Sequence, residues 1–144
     1  MSCAACTTTS SDSKIKVGEK GSTSAVFENG SRSQFILIRF DGCVVRNELA
    51  CDWIVEKVLT ARVAIELKGA DIEHAAKQIE AALDYMKKNG MSELKLGGLI
   101  VCTRYPSFDT TFQRIKQRIA KNFQAPIKVT RDARGISIES LIKF

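Results

Sequence analysis

A chain of 144 residues with 44% hydrophobic content has the size of one domain and enough apolar side chains to fill one core, which excludes a wholly disordered chain. No apolar run approaches the ~18 residues that span a bilayer, and the start has no signal-peptide apolar stretch, so the expectation is a soluble, non-secreted, cytoplasmic protein with no membrane partner. The 22 Lys and Arg against 16 Asp and Glu leave a net charge of +6, a moderate bias towards anionic partners.

Residues 1–20 are small, polar and rich in Ser and Thr, with no apolar periodicity, and read as a flexible tail ahead of a domain over 21–144. Five cysteines, an odd number, do not suggest a secreted disulfide framework. Cys3 and Cys6 form one CxxC in that tail, but structural zinc takes four ligands and no second closely spaced pair accompanies them. Cys43, Cys51 and Cys102 lie in apolar, strand-like surroundings, where a free cysteine behaves as a small hydrophobe.

The first element in chain order is "QFILIRF", 34–40, β-branched and apolar enough for a strand, followed by a turn at Asp41-Gly42-Cys43. An extended pattern resumes from Cys43, interrupted by Arg46-Asn47-Glu48. Residues 52–68 read as a hairpin with a bend centred near Leu59. Because side chains alternate with period two, Trp53, Val55, Val63, Ile65 and Leu67 share one face, while Asp52, Ile54, Glu66 and Lys68 share the other. Asp52 then lies opposite Glu66, and two carboxylates face the same space.

Residues 71–89 carry the clearest helix: Ile72, Ala75, Ala76, Ile79, Leu83 and Met86 recur at the three-and-four spacing of one buried stripe, with Asp71 at its start and Asn89-Gly90 at its end. "LKLGGLIVCTRY", 94–105, supplies another buried strand, and 110–123 a second amphipathic helix with Phe112, Ile115, Ile119 and Phe123 inward. "PIKVTR" and "ISIESLI" read as short closing strands. The order implies an α/β domain built on a mixed central sheet flanked by helices.

Paired carboxylates at a sheet end repel each other and are costly to desolvate unless a positive charge sits between them. Mg²⁺ takes hard oxygen ligands, commonly one or two carboxylates, and the backbone carbonyl of Leu67 is a further candidate. Lys68, on the same face, is placed to orient a water or to stabilise charge developing on a phosphate. Any Glu-x-Lys on a strand can equally be a solvated ion pair on an exposed sheet face. The apolar reverse face, the opposed Asp52, the glycine and the helix directly after favour a site.

These residues carry a resemblance. Asp41-Gly42-Cys43, Cys51-Asp52-Trp53, Ile65-Glu66-Leu67-Lys68-Gly69-Ala70-Asp71, and Ala75 with Gln78 resemble, in order and spacing, small bacterial and phage members of the PD-(D/E)xK nuclease superfamily. The likeness spans about residues 27–105. It implies a restriction-endonuclease-like fold with an αβββαβ-type core, and a metal-dependent endonuclease that hydrolyses phosphodiester bonds in DNA. Asp52 and Glu66 would bind Mg²⁺, for which Mn²⁺ would substitute; Lys68 would be the catalytic lysine, and Gln78 would orient substrate or a ligand. Such proteins often add an acid from an N-terminal element, here Glu28. The proline that gives the family motif its name is replaced by Cys51, and a tyrosine four residues after Gln78 is absent, Ala82 standing there.

Around that core, Arg104 is a candidate phosphate contact or a partner for a structural carboxylate. Arg114, Lys116, Arg118 and Lys121 are candidates to track a nucleic-acid backbone, against the simpler reading of a solvated helix face. His74 is either a general base or part of a half-exposed helix surface, and the second reading is the commoner. Two alternatives stand beside the endonuclease: a structure-specific enzyme of the Holliday-junction-resolvase kind, which would act as a homodimer, and a non-catalytic nucleic-acid- or protein-binding module that keeps the nuclease fold, on its own or beside a partner subunit.

Overall fold

A computed structural model describes residues 4–18, 23–67, 71–103 and 109–144. The fold is mixed α/β. Six strands form the main sheet: β1 (Thr7–Ser10), β4 (Phe35–Arg39), β5 (Trp53–Lys57), β6 (Ala61–Leu67), β7 (Lys95–Val101) and β8 (Ile127–Thr130), side by side in that order. Two further strands, β2 (Lys14–Gly18) and β3 (Ser24–Glu28), pair only with each other. Strands β1, β4, β5 and β6 run antiparallel to their neighbours, and β6, β7 and β8 run parallel.

Parallel neighbours need crossovers, and two helices supply them: α1 (Ile72–Lys88) between β6 and β7, and α2 (Thr110–Phe123) between β7 and β8. The sheet grows in one direction through these crossovers, so the right-handed rule places both helices on one face. Asp71 caps α1, its side chain accepting the His74 N–H at 3.1 Å, and Asp109 caps α2 by accepting the Phe112 N–H at 2.8 Å. After α1 the chain turns through Gly90 at φ +69, and Met91 N–H closes back on the Met86 carbonyl at 2.8 Å, the bond that ends a helix in a Schellman motif.

Two apolar layers hold the sheet between them. On the helix side Ile38, Ile54, Ala64 and Ile100 pack on Ala76, Ile79, Leu83, Phe112 and Ile115. On the other side Leu37, Val55, Val63, Ile65, Leu67 and Leu99 pack on Ile15, Val17, Ala25 and Phe27 of the β2–β3 hairpin, and on Ile138 and Leu141. The expected division of the hairpin into two faces is therefore observed over 52–67; Lys68 lies outside the described residues. Its bend is also where symmetry predicts: Lys57 pairs with Ala61 and Trp53 with Ile65, with Leu59 at the tip. Gly97 and Gly98 let β7 sit between the layers, since a Cβ at Gly97 would run into the Leu141 carbonyl oxygen and one at Gly98 would come within 2.7 Å of Ile79 Cγ2.

Five expectations need correction. Residues 7–18 are not a tail: β1 pairs with β4 in register from Thr7↔Ile38 to Ser10↔Phe35, and β2 buries Ile15 and Val17. Cys6 and Cys43 are not free thiols but a disulfide, with Cα atoms 5.7 Å apart, which ties the start of β1 to the turn after β4; Cys3 lies outside the described residues. Residues 43–51 do not continue a strand. They form tight turns, with Val45 N–H on the Phe40 carbonyl and Asn47 at φ +58. "ISIESLI" is a 3-10 turn over Ile138–Ile142, whose Ile138 and Leu141, three apart, both face the sheet. Among the described residues no α-helix precedes β4, so the leading helix of the expected αβββαβ order is replaced by strands. None of the described helices is long and apolar enough to cross a membrane.

Candidate active site

The antiparallel pair β5–β6 brings the residue just before β5 against the residue just inside the end of β6. Trp53↔Ile65 is the last ladder pair, and one step beyond it Asp52 and Glu66 hold each other reciprocally. The Asp52 N–H donates to Glu66 Oε1 at 3.1 Å, and the Leu67 N–H donates to Asp52 Oδ2 at 2.8 Å. Each carboxylate thus fastens the other residue's strand, and both are fixed at one corner of the sheet on the helix side.

That corner is poorly solvated. Glu66 is only 9% exposed, and burial, then the neighbouring Asp52 carboxylate, push its pKa up from 4.5 to about 8. The Asp52 N–H opposes this by favouring the ionised form, while Asp41 adds a smaller repulsion from the turn after β4. Beneath them Cys51 is fully buried, its Sγ donating to the Trp53 carbonyl at 3.3 Å; burial, then the Glu66 charge, hold its thiol well above the usual range and thus protonated. Cys51 fills the floor of the site as an inert small hydrophobe.

Gln78 reaches the same corner from α1. Its Nε2 donates to the Ala50 carbonyl at 3.0 Å, two residues before Asp52, so it steadies the approach to the aspartate. His74, one turn earlier, is exposed and contributes its backbone N–H to the Asp71 cap.

Other predicted residues fall elsewhere. Glu28 ends β3 in the hairpin layer, on the opposite side of the sheet from Glu66, with its carboxylate 4.0 Å from Lys14 Nζ. The further acid that bears on Glu66 is Asp41, from the Asp-Gly-Cys turn that was already visible in the sequence. Arg118 is committed to structure: its Nε and Nη2 clasp the two oxygens of Glu80 at 2.6 and 2.7 Å, tying α2 to α1. Arg114, Lys116 and Lys121 are exposed on α2. Lys68, Gly69 and Arg104 lie outside the described residues.

Among the described residues no group of three or more His, Cys, Asp or Glu side chains is arranged to hold a metal ion. The donor set still fits one kind of ion. Two hard carboxylates are too few for a closed zinc site but are what Mg²⁺ commonly takes while keeping several waters. No protein-family model, curated protein or solved structure matches the chain.

Proposed function

We propose that the chain is a metal-dependent endonuclease of the PD-(D/E)xK kind, acting on phosphodiester bonds in DNA, in the cytoplasm, on a restriction-endonuclease-like version of its mixed α/β fold. The observation that carries the reading is the Asp52–Glu66 pair, locked carboxylate to backbone in both directions at the end of the central strand. Asp52 and Glu66, with the Leu67 carbonyl as a third oxygen, would hold Mg²⁺ or Mn²⁺. A divalent ion there supplies Lewis-acid chemistry: it acidifies water and neutralises charge on the phosphate being cleaved.

The chain's own groups do the rest. Glu66 is itself buried and Cys51 beside it is fully buried, which keeps water from the back of the site and strengthens the charge interactions there. Gln78 holds the 50–52 segment so that Asp52 cannot swing away. The resemblance gives Lys68, two residues after Glu66, the part of the cation that would stabilise charge on the attacked phosphate.

The test is cleavage of plasmid, linear and branched DNA with Mg²⁺ or Mn²⁺, comparing wild type with Asp52→Ala and Lys68→Ala. Metal-dependent cutting abolished by both substitutions is the expected result. Folded wild type that binds DNA and cuts none of these substrates in either metal would replace the reading with a non-catalytic binding module.

A further inference from the structure

The two helices that cover one face of the sheet carry their charge differently. On α1 acids and bases pair along the helix, Glu73 with Lys77 at 3.4 Å and Asp84 with Lys88 at 2.8 Å, each four residues apart. On α2, TTFQRIKQRIAKNF, the charged residues are Arg114, Lys116, Arg118 and Lys121, and none is acidic. The positive charge of this layer therefore collects on α2.

Its arrangement follows from the helix period. Phe112, Ile115 and Ile119 form the buried stripe of α2 in the helix-side core. On the opposite side Arg114, Gln117 and Lys121 follow at three and four residues, so they stand in one exposed row. Gln113 and Lys116 make a second exposed row, beside a cavity of about 240 Å³ towards Ile127 and Val129 of β8. All five side chains can donate hydrogen bonds, and phosphate oxygens accept from Arg, Lys and Gln alike. The acids that adjoin the helix are committed: Asp109 caps its first turn through the Phe112 N–H, and Glu80 is clasped by Arg118 at 2.6 and 2.7 Å. Among the described residues no carboxylate pairs with Arg114, Lys116 or Lys121.

The helix also starts from the right end of the sheet. Glu66 pairs in register with Ile100 near the end of β7, and α2 returns the chain from that rim to the start of β8. At 1.5 Å per residue, Arg114 stands ~6 Å and Lys121 ~17 Å along the helix from its first residue. The ~10 Å between them covers about three phosphates of one strand, at ~3.4 Å of axial rise each. No aromatic side chain is among the exposed residues of α2, so the face offers unpaired bases nothing to stack on and suits the backbone of a duplex.

We infer that the outer side of α2 docks the phosphate backbone of a nucleic-acid duplex, with Arg114, Gln117 and Lys121 as one row of donors and Gln113 and Lys116 as the other. That this duplex is the DNA cut at Asp52 and Glu66 rests on the proposed function; the docking face does not. The row leads away from the rim, so the phosphates it holds lie beyond the one cleaved.

The experiment is fluorescence anisotropy with a labelled DNA duplex and the full chain in EDTA, where binding is read without cleavage. The double variant Arg114→Gln/Lys121→Gln is expected to bind ~10-fold more weakly at ~0.1 M salt and to lose about 2 from the salt-dependence slope. Gln117→Lys, which adds a cation to the row, is expected to bind several-fold more tightly and to add about 1 to the slope, a gain that no folding defect can mimic. Lys77→Gln/Lys88→Gln removes the same charge from α1 and is expected to stay within ~2-fold of wild type, because those lysines are already paired. A wild type that binds no duplex, unchanged affinity and slope in the folded Arg114/Lys121 variant, no gain from Gln117→Lys, or an equal loss in the α1 control would each overturn the face. So would polyglutamate that displaces the duplex at equal charge, since the face would then be taking an acidic protein. Weaker binding in the double variant beside a wild type that cuts nothing in Mg²⁺ keeps the face and sinks the nuclease; Mg²⁺-dependent cutting with affinity unmoved by the double substitution does the reverse.

Discussion

Replacing Glu66 by glutamine sets function against stability at the candidate site. In the folded chain, burial first and the Asp52 charge second raise the Glu66 pKa from 4.5 to about 8. A carboxyl whose folded pKa lies above its unfolded value takes up a proton on folding. Its stabilising share is complete below about pH 4.5 and is lost as pH rises through about 8. At ~1.36 kcal/mol per pH unit, the gap between the two values caps the loss near ~5 kcal/mol. The two carboxylates titrate as a pair, so roughly half, ~2–3 kcal/mol, belongs to Glu66. Glutamine keeps an acceptor for the Asp52 N–H and removes the charge. With metal chelated, Glu66→Gln should therefore melt ~5–10 °C above wild type at pH 9 and within ~2 °C of it at pH 5. The same variant should cut no DNA. The assay is a pair of circular-dichroism melts at each pH in EDTA. A variant no more stable than wild type at pH 9 would refute the reasoning, because it would mean the Glu66 charge is already neutralised within the chain.

Three further outcomes are expected. Gln78→Ala strips the Ala50 carbonyl of its donor and should cost ~1–2 kcal/mol in urea unfolding while lowering cleavage more than tenfold, because the approach to Asp52 loosens. Gly97→Ala should be worse than Gly98→Ala, at ~3 against ~2 kcal/mol, because the first meets a backbone oxygen more closely than the second meets the Ile79 Cγ2 methyl; urea midpoints rank them. Reducing the Cys6–Cys43 bond, which closes a separation of 37 residues, should destabilise the chain by ~4 kcal/mol, and a Cys43→Ser protein should show no response to dithiothreitol in the same titration.

The parts legible in the sequence are those whose signals are local. The apolar stripe of α1 and the alternation of 52–68 each lie within one element, and counting outward from Leu59 is enough to oppose Asp52 and Glu66. The parts that escaped depend on distant partners. Thr7–Ser10 has no apolar face of its own and is a strand because β4 presents an unpaired edge to it. Ile15 and Val17 do alternate, but in a Ser- and Thr-rich stretch two apolar residues decide nothing until Ala25 and Phe27 stand opposite them. Which cysteines join is set by where β1 docks, and no spacing states that. "ISIESLI" has strand composition, yet the close approach to Gly97 leaves room for a turn that buries two side chains on one side.

The carboxylates stand where they do because β6 is the strand at which the sheet changes character. Towards β5 it is antiparallel, so the start of β5 arrives beside the end of β6 and delivers Asp52 to Glu66. Towards β7 it is parallel, so the ends of β7 and β8 finish at the same rim and deliver Thr103 and Arg131. An all-antiparallel sheet would have placed the end of β7 at the far side, and an all-parallel one would have kept Asp52 away. Only this junction brings acids from two strands and the loops after two others to one edge. The crossover that makes β7 parallel is α1, which also supplies Gln78 to the Ala50 carbonyl. The helix that creates the rim thus braces the acid that stands on it, and a substitution that shifts α1, such as one at Ile79 or Gly98, should disturb both together.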